Sequence, residues 1–334
     1  MITINQHPRR VLHTTLKIID GNIHFIYNTE WVKLWPFEKE SEKLVPLRER
    51  MPALADHNSY TINAVAMIGP HSDHVYHFPT DYVWNFYVQN ILEEKTSGSA
   101  EYRGTVNQSK ILVMDSKING FVKQWIKILY PKIQDDNIIF LQNGSTISCK
   151  HLLPVGKTMG NMSRIDLYSK EEIASVRNRI INNLNLSETK QDSLLLLKRN
   201  FCRLLQNWDD VDDICKKYCK ENNLKLIYHD DSKDLGSIDA QLKKFNSAKI
   251  VIGCHGAGFT NLIACKKDTI LIEFLAEAPR AGGEWITGSF FTHLAACLDI
   301  KYHTVIKKTA LNDNPSGTKC NVDIEKFKKK LYLL

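Results

Sequence analysis

A chain of 334 residues, 43% hydrophobic and 24% charged, holds more than one compact core usually does, so two domains are expected and a disordered chain is excluded. The net charge of +7 is carried by scattered lysines rather than a basic block, which argues against nucleic acid as a partner. The surplus suits a pyrophosphate-bearing ligand, peripheral contact with an anionic membrane surface, or simply a surface kept soluble by lysine.

Residues 1–30 lack an uninterrupted apolar h-region and a small-residue cleavage site, and no later stretch reaches the length of a membrane span, so the expected location is the cytoplasm. The opening part of the chain carries two strand-like pieces, HFIYN and WVKLW, and a proline-marked turn at Pro36. AVAMIG (64–69), KILVMD (110–115) and NIIFLQNG (137–144) read as further strands, with helices expected over 79–94 and 118–129. From Leu152 the run PVGKTMGN breaks the periodicity, which marks a linker before a helix around 170–184 and places the domain boundary between 1–154 and 155–334.

The second half is patterned more clearly. LLLLK (194–198), LKLIYH (224–229), KIVIGC (249–254), TILIEFL (269–275) and IKYHTVI (300–306) are short apolar runs. Between them lie WDDVDDICKKYCKEN, SIDAQLKKFN, FTNLIAC and SFFTHLAACL, and VDIEKFKKKLYLL follows, each with apolar residues near helical spacing. Continuous apolar strands joined by helices predict a doubly wound parallel sheet covered on both faces. Ligands of such sheets bind where strand carboxyl ends meet helix amino ends, here in the loops after Leu197, Tyr228, Cys254 and Phe274.

IVIGCHGAGFTNLIAC is the sharpest local feature. A buried strand ends at Cys254, His255-Gly256-Ala257-Gly258 makes a turn, and Phe259-Thr260-Asn261 opens a helix. The glycines let backbone approach a ligand closely, and unpaired N–H groups at a helix start attract an anion. The glycine order is not that of the dinucleotide fingerprint, and no Lys-Ser/Thr pair follows as in a P-loop. HGAG also resembles an esterase oxyanion turn, but the G-x-S-x-G elbow that chemistry needs is absent. A tight turn without a ligand remains the plain alternative.

Eight cysteines form no paired CxxC clusters and several sit in apolar runs, as buried free thiols in a reducing compartment do. Cys215 and Cys219 stand one helical turn apart without a further ligand at metal spacing, and the one D-x-D, Asp210-Val211-Asp212, lies in a polar helix where a solvated face is expected. No metal site is therefore expected.

HGAGFTN followed by TILIEF, with a basic stretch LLLLKRNFCRLLQN upstream and Tyr76-His77-Phe78-Pro79-Thr80-Asp81 earlier, resembles the family 61 glycosyltransferases, whose hallmark is HGAGLTN and then a strand ending in glutamate. The likeness runs in order from about residue 60 to the end, with Pro79 and Thr80 departing from the family's aromatic and aliphatic residues. It implies a GT-B-like α/β architecture of two Rossmann-like domains whose parallel sheets face a cleft, the first taking the acceptor and the second the donor. The implied reaction is an inverting, metal-independent transfer from a nucleotide sugar, expected to be UDP-linked, to a hydroxyl of a glycan, polysaccharide or glycoconjugate. No cofactor is implied beyond that co-substrate.

On this likeness Arg199 and Arg203 face the donor, where guanidinium groups can pair with phosphate oxygens. His255, Gly256, Ala257, Gly258, Thr260 and Asn261 form the donor loop. Glu273 falls at the family's glutamate and suits ribose hydroxyls, or caps a helix or pairs with Arg280. Asp81 is the expected base, held ionised in a first helical turn that begins at Pro79, with His77 orienting it or the acceptor. Asp81 as an ordinary helix cap stays open, as does a non-catalytic nucleotide-sugar or glycan-binding protein on the same fold.

Overall fold

The computed structural model describes residues 11–19, 22–27, 30–33, 46–47, 62–68, 71–88, 109–155, 168–201, 203–233, 236–280, 283–285, 289–308 and 321–334. Of the linker expected from Leu152 through Asn161, residues 152–154 instead end a strand, while 156–161, the turn at Pro36, the end of the helix expected over 79–94, and Cys202 and Cys320 lie outside the described residues. The chain divides into two compact units, Met1–Leu167 and Tyr168–Leu334.

The first unit is built on one mixed sheet. Strands β1 (Val11–Ile19), β2 (Asn22–Tyr27), β3 (Glu30–Lys33), β4 (Pro46–Leu47), β5 (Ile62–Met67), β6 (Lys110–Met114), β7 (Ile138–Leu141) and β8 (Thr146–Pro154) lie in the order β4-β3-β2-β1-β8-β5-β6-β7. Neighbours from β4 to β8 pair antiparallel, whereas β8, β5, β6 and β7 run parallel to one another. The parallel part is the Rossmann-like portion expected from the sequence. Helix α1 (Asn119–Leu129) connects β6 to β7 and turns Val122, Trp125, Ile126 and Leu129 inward at helical spacing. After β5, in the middle of the parallel part, the chain runs on to a π-helical segment, Phe78–Val83.

The second unit repeats strand and helix with little interruption. After α2 (Lys170–Asn183) come β9 (Ser193–Lys198), α3 (Trp208–Glu221), β10 (Lys225–Asp230), α4 (Ile238–Ser247) and β11 (Ala248–Cys254). A 3₁₀ helix (Ala257–Ala264), β12 (Ile270–Arg280), β13 (Gly283–Trp285), α5 (Ser289–Cys297), β14 (Lys301–Lys308) and α6 (Ile324–Tyr332) follow. Helix α2 starts on a reciprocal capping box in which the Ser169 hydroxyl accepts from the Glu172 amide and the Glu172 carboxylate from the Ser169 amide.

Strands β10, β9, β11, β12 and β14 lie side by side in that order, all parallel, and β13 pairs antiparallel with β12. The chain therefore winds outward from β9 to β10, then reverses across β9 to β11 and continues to the far edge. This is the flavodoxin-like order, and its switch point lies between the carboxyl ends of β9 and β11. Both strands are buried along most of their length because their Leu, Ile and Val side chains have cover on both faces. On one face Leu194, Leu196, Ile250, Ile252, Ile272 and Phe274 meet Val211, Cys215 and Cys219 of α3 and Phe327 and Leu331 of α6.

FTNLIAC is not an α-helix. The segment starts two residues earlier, at Ala257, and closes with short bonds, Phe259 N–H to Gly256 O (3.0 Å) and Cys265 N–H to Leu262 O (2.9 Å). Phe259 through Ala264 are all buried, wedged among α2, α4 and α5. An α and a 3₁₀ helix start from the same apolar spacing, so the sequence did not separate them.

Candidate active site

The winding of the chain reverses direction between β9 and β11, and basic side chains gather at the carboxyl ends of these two strands. Arg199 follows β9 directly, and its Nη1 donates to the carbonyl of His255, the residue after β11, at 3.1 Å. Arg203 donates its own Nη1 to the same oxygen at 3.1 Å. Two guanidinium groups thus converge on one neutral acceptor, and the carboxylate of Asp231 stands 3.9 Å from Arg199 Nε through its Oδ2. Asp231 is itself fixed by Asn200, whose amide and side-chain nitrogen both donate to it. The result is a concentration of positive charge beside the start of the 3₁₀ helix, which suits an anion.

Gly256 is glycine because of Arg199. A Cβ built at Gly256 would lie 1.4 Å from Arg199 Nη1 and 2.6 Å from its Cζ, so the guanidinium occupies the space that any side chain there would need. The sequence expectation was close approach of a ligand; in the structure a side chain of the protein makes that approach. Gly258 is different, since its Cβ would meet Leu197 and His229 only at ordinary contact distances, 3.4 and 3.6 Å. Gly253, still within β11, would meet Leu197 Cβ at 2.7 Å.

The His255 side chain turns away from the arginines. Its Nδ1 donates to Glu273 Oε1 at 2.6 Å, and the ring packs against Phe291 with centroids 5.3 Å apart. Glu273 is 0% exposed, and its second oxygen accepts from the Tyr302 hydroxyl at 2.7 Å. Strand register explains the meeting. Glu273 pairs with Gly253 on β11 and with Thr304 on β14. His255 lies two residues beyond the first partner and Tyr302 two before the second, so all three side chains leave the same face of the sheet. In the structure Glu273 thus faces an imidazole and a phenol, while the side chain of Arg280 lies outside the described residues.

Ala257 starts the 3₁₀ helix. Thr260 and Asn261 lie inside it, buried, and the Asn261 amide nitrogen donates to Gln241 of α4 at 2.9 Å, which braces the loop from behind.

In the first unit the structure brings together the two residues singled out by the sequence. His77 Nδ1 donates to Asp81 Oδ2 at 2.7 Å, one turn apart. Asp81 is 0% exposed, while the His77 side chain keeps 20% of its surface. Thr80 Oγ1 lies 2.8 Å from Tyr76 O and 3.1 Å from Asp81 Oδ1. By taking the carbonyl of Tyr76 the Thr80 hydroxyl competes with the backbone ladder, and the Trp84 N–H reaches back five residues to Pro79 O, the π-helical bond. His77 is N-terminal to the π-helical segment, and its ring is surrounded by His71 (5.0 Å, stacked), His74 (5.2 Å) and Tyr76 (4.9 Å, edge-on). Burial and the neighbouring imidazoles push the His74 pKa below its ordinary value.

The glycosyltransferase 61 family model matches residues 75–272, more than half of the chain and a stretch that holds the His77–Asp81 pair, both arginines and the glycine turn and ends one residue before Glu273. The chain belongs to the glycosyltransferase 61 family. It is also similar to the alpha-1,3-arabinosyltransferase XAT3 of Oryza sativa subsp. japonica, 26% identical over 109 residues. That stretch is 33% of this chain and 18% of the rice protein, so only a small part of the relative's length is matched.

Among the described residues no helix of this glycosyltransferase 61 chain is long and apolar enough to cross a membrane. Of the D-x-D pair, Asp210 is exposed as a solvated face requires, and Asp212 is not. Asp212 is buried, accepts from the Tyr228 hydroxyl at 2.7 Å and pairs with Lys216 at 2.8 Å, tying α3 to β10. Cys149, Cys215, Cys219, Cys254, Cys265 and Cys297 are buried free thiols, as expected. Tyr302 and Asn200, which complete the second site, were missed from sequence. Asn200 sits between the two arginines and could have been found there, whereas nothing in IKYHTVI distinguishes Tyr302 from an ordinary strand tyrosine.

Proposed function

We propose that this glycosyltransferase 61 chain moves a sugar from a nucleoside-diphosphate sugar, UDP-linked, to a hydroxyl of a glycan or glycoconjugate, with inversion and without a required metal. The observation that carries this reading is the convergence of Arg199 and Arg203 on the single His255 carbonyl at the switch point of the second sheet. A leaving diphosphate gains two hydrogen-bonding cations there, plus the N–H groups at the 3₁₀ start. The transferred sugar belongs to the hexosyl, pentosyl or N-acetylhexosaminyl class, and the similarity to an arabinosyltransferase favours the pentosyl class.

Burial refines the expected roles on the acceptor side. Asp81 is enclosed and bonded to His77, so the imidazole meets the acceptor and Asp81 orients it and balances the charge that forms. As the acceptor oxygen bonds to the anomeric carbon, its proton passes to His77 Nε2. The bond from that carbon to the phosphate oxygen breaks on the opposite face, and the electron pair leaves with the diphosphate. Glu273 in the same way reaches the donor through His255 rather than by direct contact with ribose.

The test is a panel of nucleoside-diphosphate pentoses, hexoses and N-acetylhexosamines offered with glycan acceptors, with the product's anomeric configuration read by NMR and the assay repeated in EDTA. Inverted product from one donor, unchanged by chelator, is expected. A retained configuration, or activity lost in EDTA and restored by manganese, overturns those parts of the proposal. Failure of every nucleotide and nucleotide sugar to raise the thermal midpoint overturns the donor site itself.

A further inference from the structure

Nothing in the proposed transfer requires Tyr302, yet among the described residues it makes one of the two side-chain bonds that hold the buried Glu273 carboxylate. We infer that Tyr302 is a positioning residue for donor binding: through Glu273 it fixes the ring of His255 so that Nε2 is presented to the nucleotide sugar. The inference rests on the proposed donor site.

The backbone of His255 is held on both sides. Its N–H donates to Phe274 O at 3.1 Å, and its carbonyl accepts from Arg199 and Arg203. Phe291 limits the ring's tilt, with centroids 5.3 Å apart, and only 13% of the side chain is exposed. One rotation remains, the flip that exchanges Nδ1 and Nε2, and the bond to Glu273 selects between the two. A carboxylate can only accept, so the proton on that side belongs to Nδ1 and the opposite ring nitrogen is left to act on a ligand.

Glu273 can do this only if its own orientation is set. It has 0% exposure and therefore needs donors from the protein for both oxygens. His255 supplies one at 2.6 Å and Tyr302 the other at 2.7 Å. Tyr302 is in turn held by a hydrogen bond with the Thr292 side chain of α5. Burial and the adjacent Glu273 raise the phenol's pKa, which keeps the O–H protonated and donating throughout the working pH range. The chain of bonds from Thr292 to Tyr302, Glu273 and His255 thus starts on helix α5, which packs on that face of the sheet, and ends at the ring of the residue whose carbonyl holds both arginines.

A double-mutant cycle on UDP and GDP binding, measured by calorimetry on the full chain, tests this. Tyr302→Phe should weaken binding about tenfold, the size expected for one hydrogen bond. The same change made in His255→Ala should have no further effect, because the ring that Tyr302 positions is gone. Additive losses, or wild-type affinity in Tyr302→Phe, overturn the inference. If Tyr302→Phe folds poorly, Thr292→Val, one bond further away, is judged by the same non-additivity. Arg199→Ala separates the two levels of argument, since its loss of affinity with an unchanged Tyr302→Phe refutes the relay and leaves the donor site standing. Failure of both nucleotides to bind the wild-type protein sinks the relay together with the site.

Discussion

Gly256→Ala places a single methyl group where the Arg199 guanidinium now lies. The backbone there is extended, with φ 163° and ψ 176°, which alanine adopts without strain, so the substitution tests packing alone. The new carbon would stand 1.4 Å from Arg199 Nη1, and the nitrogen must retreat by about 2 Å to reach ordinary contact. That movement breaks its 3.1 Å bond to the His255 carbonyl, while Arg203 still satisfies the oxygen. Folding should therefore suffer by only about 1 kcal/mol, the net value of one hydrogen bond.

Nucleotide binding should suffer more. Displacing Arg199 removes a charged donor from the diphosphate, worth about 1.5 to 3 kcal/mol, or roughly tenfold to a hundredfold in affinity. Calorimetric titration of the nucleoside diphosphate into wild type, Gly256→Ala, Arg199→Ala and the double mutant measures it. The double mutant should bind no more weakly than Arg199→Ala, because both changes remove the same group. Wild-type affinity in Gly256→Ala would refute the reasoning, as would an effect that adds to that of Arg199→Ala.

Asp81→Asn should lower turnover by about a hundredfold or more with donor affinity unchanged, since asparagine still accepts from His77 but does not balance the imidazolium. His77→Ala should cost at least as much, and steady-state kinetics showing wild-type turnover in either variant would remove the pair from catalysis. Gly253→Ala should destabilise the fold by about 1 to 3 kcal/mol in urea titrations, because the new methyl meets the Cβ of Leu197, close to rigid backbone, at 2.7 Å. Nucleotide affinity of the folded fraction should be kept. His74 is held below its ordinary pKa of 6.5 by burial first and by His77 and His71 next, so the unfolded chain binds the proton more readily than the native one. Its contribution to stability is present above pH 6.5 and is lost as pH falls through the lowered native value. Thermal melts from pH 8 to pH 5, by this argument, should decline less steeply in His74→Gln than in wild type; parallel slopes would exclude the effect.

Strands β9, β11 and β12 were legible because they are buried on both faces and so read as apolar runs between polar helices, and the less buried edge strands β10 and β14 kept enough apolar residues to be read with them. Strand β8 was not. TISCKHLLP mixes polar and apolar residues, and its place depends on pairing with β1 on one side and β5 on the other, which no local pattern records. The site shows the same division. His77 with Asp81 is local, four residues apart on one turn, and the glycine turn is local as well. Arg199 against Gly256 and Tyr302 against Glu273 join strands far apart in sequence, and they exist only once the register is set. Sequence reading thus found Arg199, Arg203, the glycine turn and Glu273 but missed Tyr302 and Asn200, and among ribose, a helix cap and Arg280 as partners of Glu273 it did not include the His255 and Tyr302 side chains that the sheet brings to it.

The two units solve one chemical problem twice. Each holds the Nδ1 of a mostly covered histidine with a fully buried carboxylate, and on the proposed mechanism the far ring nitrogen of each meets a ligand. What differs is the origin of the carboxylate and hence the stiffness of the pair. Asp81 sits on the same turn as His77, in a segment whose π-helical bonding can relax toward ordinary α geometry with small shifts of backbone. Glu273 comes from the central part of a parallel sheet, with β11 on one side and β14 on the other, and cannot move without both. A group that binds the same diphosphate in every turnover gains from such rigidity, because its ordering cost is met on folding. A base that must take up and release a proton on varied acceptor hydroxyls is better served by a local turn. On this argument the π-helical segment is the adaptable half of the chemistry and the β11–β12–β14 triad the fixed half.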